Sequence, residues 1–269
     1  MQTSRNLWIA VAGLGLLAHA VPSHGRLLDA GAPESAERWG TLTGRFVYDG
    51  IAPTPVQINA NRDPEVCGKQ ILHDESLEVA ADGGLKSAVI FLRTADVPVA
   101  PSYADSATAH VVLDNKHCRF EPHVVLLRTT QQLVVRNSDP IGHQAKLDPL
   151  KNPQINPIVP AGKEIKQSFP AEENLPAKML CNIHPWQFAW VLIRKSPYMA
   201  VSDKDGKFEI RDLPVGQELE FGLWQERIGQ LKSASISGVE VSHKGRFKIK
   251  IHAGENPLGD IKLAAESFK

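Results

Sequence analysis

No segment of the 269-residue chain reaches 18 consecutive apolar residues, the length at which a spanning helix becomes the natural reading. Charge of one sign is missing too. Lys plus Arg number 30 and Asp plus Glu number 30, so the basic excess that marks nucleic-acid binders is absent. Aromatic residues make up 6% and methionine appears three times. No amphipathic run of ten or more residues carries helix caps, which argues against a helical fold. There is no glycine-rich phosphate loop and no Ser, His and Asp arrangement of a nucleophile motif. Neither a repeat nor a low-complexity tract is evident. Cysteine occurs three times; with an odd count, at least one thiol has no partner within the chain.

What is present suits a β protein. Apolar residues reach 42%, with 20 Gly and 19 Pro scattered among them, enough for a core and for many turns. At the N-terminus, Arg5 precedes an apolar run over 7–17, and Ala18-His19-Ala20 fits a small-x-small cleavage pattern. The run is too short to span a bilayer, so residues 1–20 read as a signal peptide rather than an uncleaved anchor. The expected protein is exported to the periplasm or secreted, with no membrane span in its mature form. Residues 21–40 are polar, rich in Pro and Gly, and read as a linker.

From Gly40 the text is strand, turn, strand. Residues 41–48 alternate and end at Asp49-Gly50, a turn signal. Residues 87–93 read as a buried strand. Further strands are expected over 110–114, 123–128, 133–137, 164–169, 177–181 and 188–195. Smaller hairpins follow: 198–202, the turn Asp203 to Gly206, 207–211, 219–225 and 245–252. Asp203 and Asp205 could pass for a calcium-loop fragment, but the downstream bidentate Glu is missing and a hairpin turn is the better reading. Closely spaced strands with turn chemistry predict an all-β sandwich. The expected division is 41–100 as an N-terminal β region, 101–196 as a metal-binding sandwich and 197–269 as a C-terminal β domain.

The informative segment is Cys181-Asn182-Ile183-His184-Pro185-Trp186-Gln187. Cys181, His184 and Gln187 recur every three residues between two predicted strands. Upstream, Asn137-Ser138-Asp139 and His143 stand just past another strand end. One thiolate and two imidazoles form the trigonal set that copper prefers, with a weak fourth donor on the axis. Zinc shares these ligand types, but a closed zinc site wants four strong donors and glutamine is a poor one. With Cys181 assigned, Cys67 and Cys118 remain. In an exported protein a disulfide between them is the economical reading, closing a loop of about fifty residues and stabilising by about 3–4 kcal/mol; two buried free thiols are the alternative. His117, Cys118 and His123 are close in sequence, yet a disulfide would take the best donor from a second metal site there. His123 then reads as a histidine whose hydrogen bonds are satisfied or one that supports a metal ligand from behind, and His73, His110, His243 and His252 as structural or surface residues.

These residues carry a resemblance. The stretch from about Phe120 to Lys195 looks like a cupredoxin, and Cys181 to Gln187 is similar to the short amicyanin-type loop, Cys-x-x-His-Pro-x-Met. The wider pattern resembles exported proteins labelled methylamine-utilisation or plastocyanin-like. It runs from Val66-Cys67-Gly68 through Cys118 to His123 and on to Leu213-Pro214-Val215-Gly216. Residues 204–216 resemble the hairpin of carboxypeptidase regulatory-like, or transthyretin-like, β domains. The resemblance implies a Greek-key cupredoxin sandwich with added small β parts. It implies one mononuclear type 1 copper held by His143, Cys181, His184 and Gln187, and one-electron transport rather than enzymic turnover. It also implies a second histidine near the surface, so that a transient redox partner would dock near His184 and Trp186. Copper storage or delivery, or a cupredoxin shell used only for binding, is the alternative. Three positions depart from the pattern: Gln187 replaces Met, Gln144 follows His143 where Asn is usual, and Gln225 replaces the His of a Trp-His-Glu triplet.

Overall fold

The structure is a computed structural model and describes residues 38–269. The expected signal peptide and most of the expected linker therefore lie outside the described residues. Within them the secondary structure is β-strand with short 3-10 turns, and no helix is long and apolar enough to cross a membrane.

Two hydrophobic cores organise the strands. The first lies under a sheet built around Trp39–Asp49, which pairs antiparallel with Lys207–Pro214 and parallel with Gly254–Ala264. A second sheet joins Met199–Val201, Val89–Leu92 and Glu218–Gln225, with Arg246–Lys250 also pairing on the last. Leu42, Phe46, Ile90, Tyr198, Phe221, Phe247 and Ile261 from both sheets are buried in one cluster. Strands from before residue 100 and after residue 197 thus share both sheets and one core.

The second core belongs to the intervening chain. One sheet runs Lys146–Leu147, Ala177–Leu180, Phe188–Arg194, Val124–Arg128; the other runs Glu164–Ser168, Gln132–Asn137, His110–Lys116, Arg119–Glu121. Leu113, Phe120, Leu127, Val135, Phe169, Met179, Val191 and Ile193 fill the space between them. The apolar run at 87–93 is explained by its position. Ile90 and Leu92 face the first core, while Val89 and Phe91 pack with Val124, Leu192 and Trp224. A strand buried on both faces has no polar side to alternate with.

One long strand is absent from the sequence reading. Gly254–Ala264 contains Pro257 and Gly259, which read as breakers. This eleven-residue strand is held by parallel pairing beside Trp39–Asp49, and the register slips between Thr43 and Arg45, opposite Pro257 and Asp260. The irregularity absorbs the residues that a regular ladder would reject. The expected hairpin turn at 203–206 forms. The Asp203 carboxylate accepts from the N–H groups of Asp205 (2.9 Å) and Lys207 (2.8 Å). Gly206 has φ +80°, and a Cβ there would meet the Phe46 carbonyl oxygen at 2.3 Å.

Candidate metal centre

The site lies at one end of the second core. Cys181 directly follows the strand Ala177–Leu180, and the next strand begins at Phe188. The turn between them is closed by two backbone bonds, Cys181 N–H to the Gln187 carbonyl (3.1 Å) and Gln187 N–H to the His184 carbonyl (2.9 Å). His143 starts a two-residue strand paired with Ile158–Val159. Its approach is fixed by Asn137, whose side-chain N–H groups donate to the carbonyls of Ile141 (2.7 Å) and Val159 (2.8 Å).

These elements bring His143, Cys181 and His184 together, with one donor atom of each within 4.8 Å of the others. All three are buried. The Cys181 sulfur lies 3.6 Å from His184 Nδ1 and 4.0 Å from His143 Nδ1. An ion placed trigonally at ordinary N and S bond lengths separates such donors by roughly 3.7 Å, so the spacing fits. Each histidine is oriented from behind by a carboxylate. His143 Nε2 faces Asp139 at 2.9 Å, and His184 Nε2 faces Asp63 at 2.8 Å. An imidazole that donates through Nε2 presents the Nδ1 lone pair to a metal. Asp139 is itself fixed by the N–H groups of His117 and Cys118. The N–H of Gln144 points at the Cys181 sulfur at 3.3 Å. At that position the main chain makes the tie, whatever the side chain.

Gln187 supplies a further sign. Its side-chain N–H donates to Asn115 Oδ1 at 2.9 Å, while its Oε1 is buried with no hydrogen-bond partner. A buried amide oxygen without a partner costs about 1–3 kcal/mol. A cation within reach of that oxygen would give it one. Soft sulfur, two imidazoles and a weak oxygen are together a donor set that suits copper.

No family model matches the chain, and no curated protein matches it. Solved structures do. Its structural neighbours are cupredoxins. A purple cupredoxin from Nitrosopumilus maritimus is 19% identical, covering 32% of this chain and 98% of its own at a TM-score of 0.26. A single-site mutant of amicyanin, in the Cu(I) state, is 14% identical, covering 39% and 98%, with a TM-score of 0.29. A Cu-containing nitrite reductase from Thermus scotoductus is 13% identical over 55% of this chain and 28% of its own, with a TM-score of 0.28.

One implied feature of a cupredoxin is not found. His184 is 0% exposed, and its outward nitrogen is taken by Asp63 rather than reaching the surface. The cover comes from the segment that Cys67 ties to Cys118 by a disulfide. Cys67 and Cys118 pack with Ala60 and Leu72, and Ile141 and Trp186 lie against them. Trp186 donates to the Cys118 carbonyl at 3.0 Å and its ring lies 5.3 Å from that of His184. The free thiol is Cys181. Asp63 and Asn115 carry no signal in the sequence reading, and Asp139 appears there only as part of the segment that leads to His143, with no role of its own. Only Asp139, four residues before His143, carried a local hint.

Protonation follows from these contacts. Burial opposes a charge on His143, but Asp139 and Cys181 outweigh it and raise its pKa to about 9. Burial also opposes a thiolate at Cys181, yet His143, His184 and the Gln144 N–H bring it down to about 6. The raised His143 value contributes stability in full below its ordinary 6.5, and that contribution is lost as pH climbs to 9. The lowered Cys181 value contributes in full above its ordinary 9.0, and that is lost as pH falls to 6. The two slopes oppose each other, so the metal-free pair leaves stability nearly level from about pH 6.5 to 9 while holding one proton on the imidazole. Metal uptake in that window should release about one proton from this pair. Calorimetric titration at about pH 7.5, midway in the window, in buffers of different ionisation enthalpy measures it. Release of none would contradict the assigned protonation.

Proposed function

We propose that this chain is an exported type 1 copper protein that carries single electrons. His143 Nδ1, Cys181 Sγ, His184 Nδ1 and, as the weak fourth donor, Gln187 Oε1 would hold the ion. The observation that carries the reading is the buried Cys181 sulfur between two imidazoles that are each oriented by a carboxylate. Copper would supply the change between Cu(I) and Cu(II). The chain's part is to hold the donors still. Strand ends, the closed 181–187 turn, Asn137 and Asn115 fix each ligand before metal arrives, so little rearrangement accompanies a change of charge. With His143 and His184 at 0% and Cys181 at 2% exposure, the centre favours electron passage over substrate binding, and we read the protein as a carrier rather than an enzyme.

Trp186, partly exposed and packed on His184, marks the face where a transient redox partner would dock; such contacts are small. Export agrees with the disulfide Cys67–Cys118, since such bonds persist in oxidising compartments. A second reading, copper storage or delivery, draws on the Asp63 cover over His184. Voltammetry of the copper-loaded protein separates the two. A carrier gives a reversible one-electron wave and turns blue on oxidation. A store keeps Cu(I), stays colourless in air and shows no reversible wave, which would overturn the carrier reading.

A further inference from the structure

A third histidine is backed by a carboxylate like the two at the metal centre. His123 has a side chain 3% exposed, and its Nε2 meets Glu226 Oε1 at 2.6 Å. The other Glu226 oxygen accepts from the Trp190 indole N–H at 2.9 Å. Both oxygens of this nearly buried carboxylate are thus engaged, which fixes the ring and makes Nε2 its donor. In a neutral ring Nδ1 is then the acceptor. Yet His123 Nδ1 is buried and has no hydrogen-bond partner, contrary to the satisfied histidine expected from the sequence. The nearest charged group is Glu75, with Oε2 at 3.8 Å. His123 and Glu75 line a cleft of about 660 Å³ together with Lys86, Arg119 and Glu121.

We propose that His123 Nδ1 and the Glu75 carboxylate form a second metal site, for a divalent cation such as zinc, at the wall of this cleft, reached past the Glu75 side chain and positioned by Glu226. An imidazole and a carboxylate are ordinary zinc donors, and an ion about 2.0–2.2 Å from each can bridge a 3.8 Å gap. Solvent in the cleft would complete the coordination. Local charge favours a cation. The carboxylates are Glu75, Glu78, Glu121 and Glu226, and the cations are Lys86 and Arg119. Lys86 is paired with Glu78 at 2.7 Å and Arg119 with Glu121 at 3.1 Å; Arg119 also reaches within 3.6 Å of the other Glu75 oxygen. His123 is left facing Glu75 and Glu226. Burial is the main influence on Glu75 and raises its carboxyl pKa against the pull of His123 and Arg119. A bound divalent ion would relieve that desolvation.

The site shares no ligand with the Cys181 centre, and its test reads His123 itself. Zinc chloride is titrated into the full chain labelled with ¹⁵N-histidine, and the imidazole nitrogens are followed by NMR. The first equivalent has a better set of donors at His143, Cys181 and His184. A further equivalent should shift the His123 Nδ1 resonance, with Nε2 still protonated. Glu75→Gln keeps the shape of a side chain that is 17% exposed and should weaken that second event at least tenfold without altering the first. Three results would overturn the proposal: a His123 resonance unmoved at excess zinc, an unchanged response in Glu75→Gln, or a zinc-free His123 with protons on both nitrogens at neutral pH. The last would make it an imidazolium between Glu75 and Glu226.

Discussion

Cys181→Ser should abolish the intense visible absorption of the Cu(II) protein and leave a nearly colourless centre. The band requires electron transfer from a thiolate to copper, and Cys181 is the one free cysteine among the described residues. A serine hydroxyl is a harder donor and stays protonated at neutral pH, so copper affinity should fall as well. The fall should exceed the roughly 10–100-fold that altering an outer-sphere partner costs. The fold should survive. Cys181 is a small buried member of the second core, serine is nearly its shape, and the Gln144 N–H that faced sulfur can still find an oxygen. Absorption of copper-loaded wild type and variant, with near-ultraviolet circular dichroism as the check on folding, decides the matter. A band that persists in a folded Cys181→Ser protein would remove Cys181 from the ligand set.

Gln187→Met should raise the reduction potential by on the order of 100 mV, about 2.3 kcal/mol for one electron at about 59 mV per decade. An amide oxygen is a harder donor than a thioether and stabilises Cu(II) over Cu(I), and axial identity is one lever on such potentials. The structure gives the amide a reason to act as that donor. Asn115 Oδ1 holds the side-chain nitrogen at 2.9 Å, and the buried Oε1 is left without a partner. The substitution has a separate cost. Methionine cannot donate to Asn115, which is 0% exposed, so the variant should lose about 1–3 kcal/mol of stability. Voltammetry of both proteins in one buffer tests the assignment. An unchanged or lowered potential would leave His143, Cys181 and His184 as the whole site.

The strands that alternate, such as 41–48, and those with a continuous apolar run, such as 188–193 within 188–195, were legible because burial writes itself into local pattern. In the 181–187 turn the pairing of Cys181 with His184 was legible, because a short loop between strands can aim two side chains three residues apart one way. Gly254–Ala264 was not legible, because its pairing with residues 40–49 outweighs its own glycine and proline. The groups that orient the histidines were hidden by distance. Asp63 reaches His184 across 121 residues, and Glu226 reaches His123 across 103. No local pattern encodes such a meeting. It depends on how the first core, made from both ends of the described chain, sets its loops against the second. The buried state of His184 has the same origin, since its cover is a segment held by Cys67 and Cys118 rather than any part of the 181–187 turn.

One measurement bears most directly on the copper assignment: absorption and EPR spectra of the metal-free mature protein titrated with Cu(II). The expected result is one equivalent bound, with an intense visible sulfur-to-copper band and a small parallel copper hyperfine splitting, because a covalent thiolate draws spin density away from the metal. A titration with no such band, or a wide splitting typical of copper held by nitrogen and oxygen alone, would contradict a centre built on His143, Cys181, His184 and Gln187.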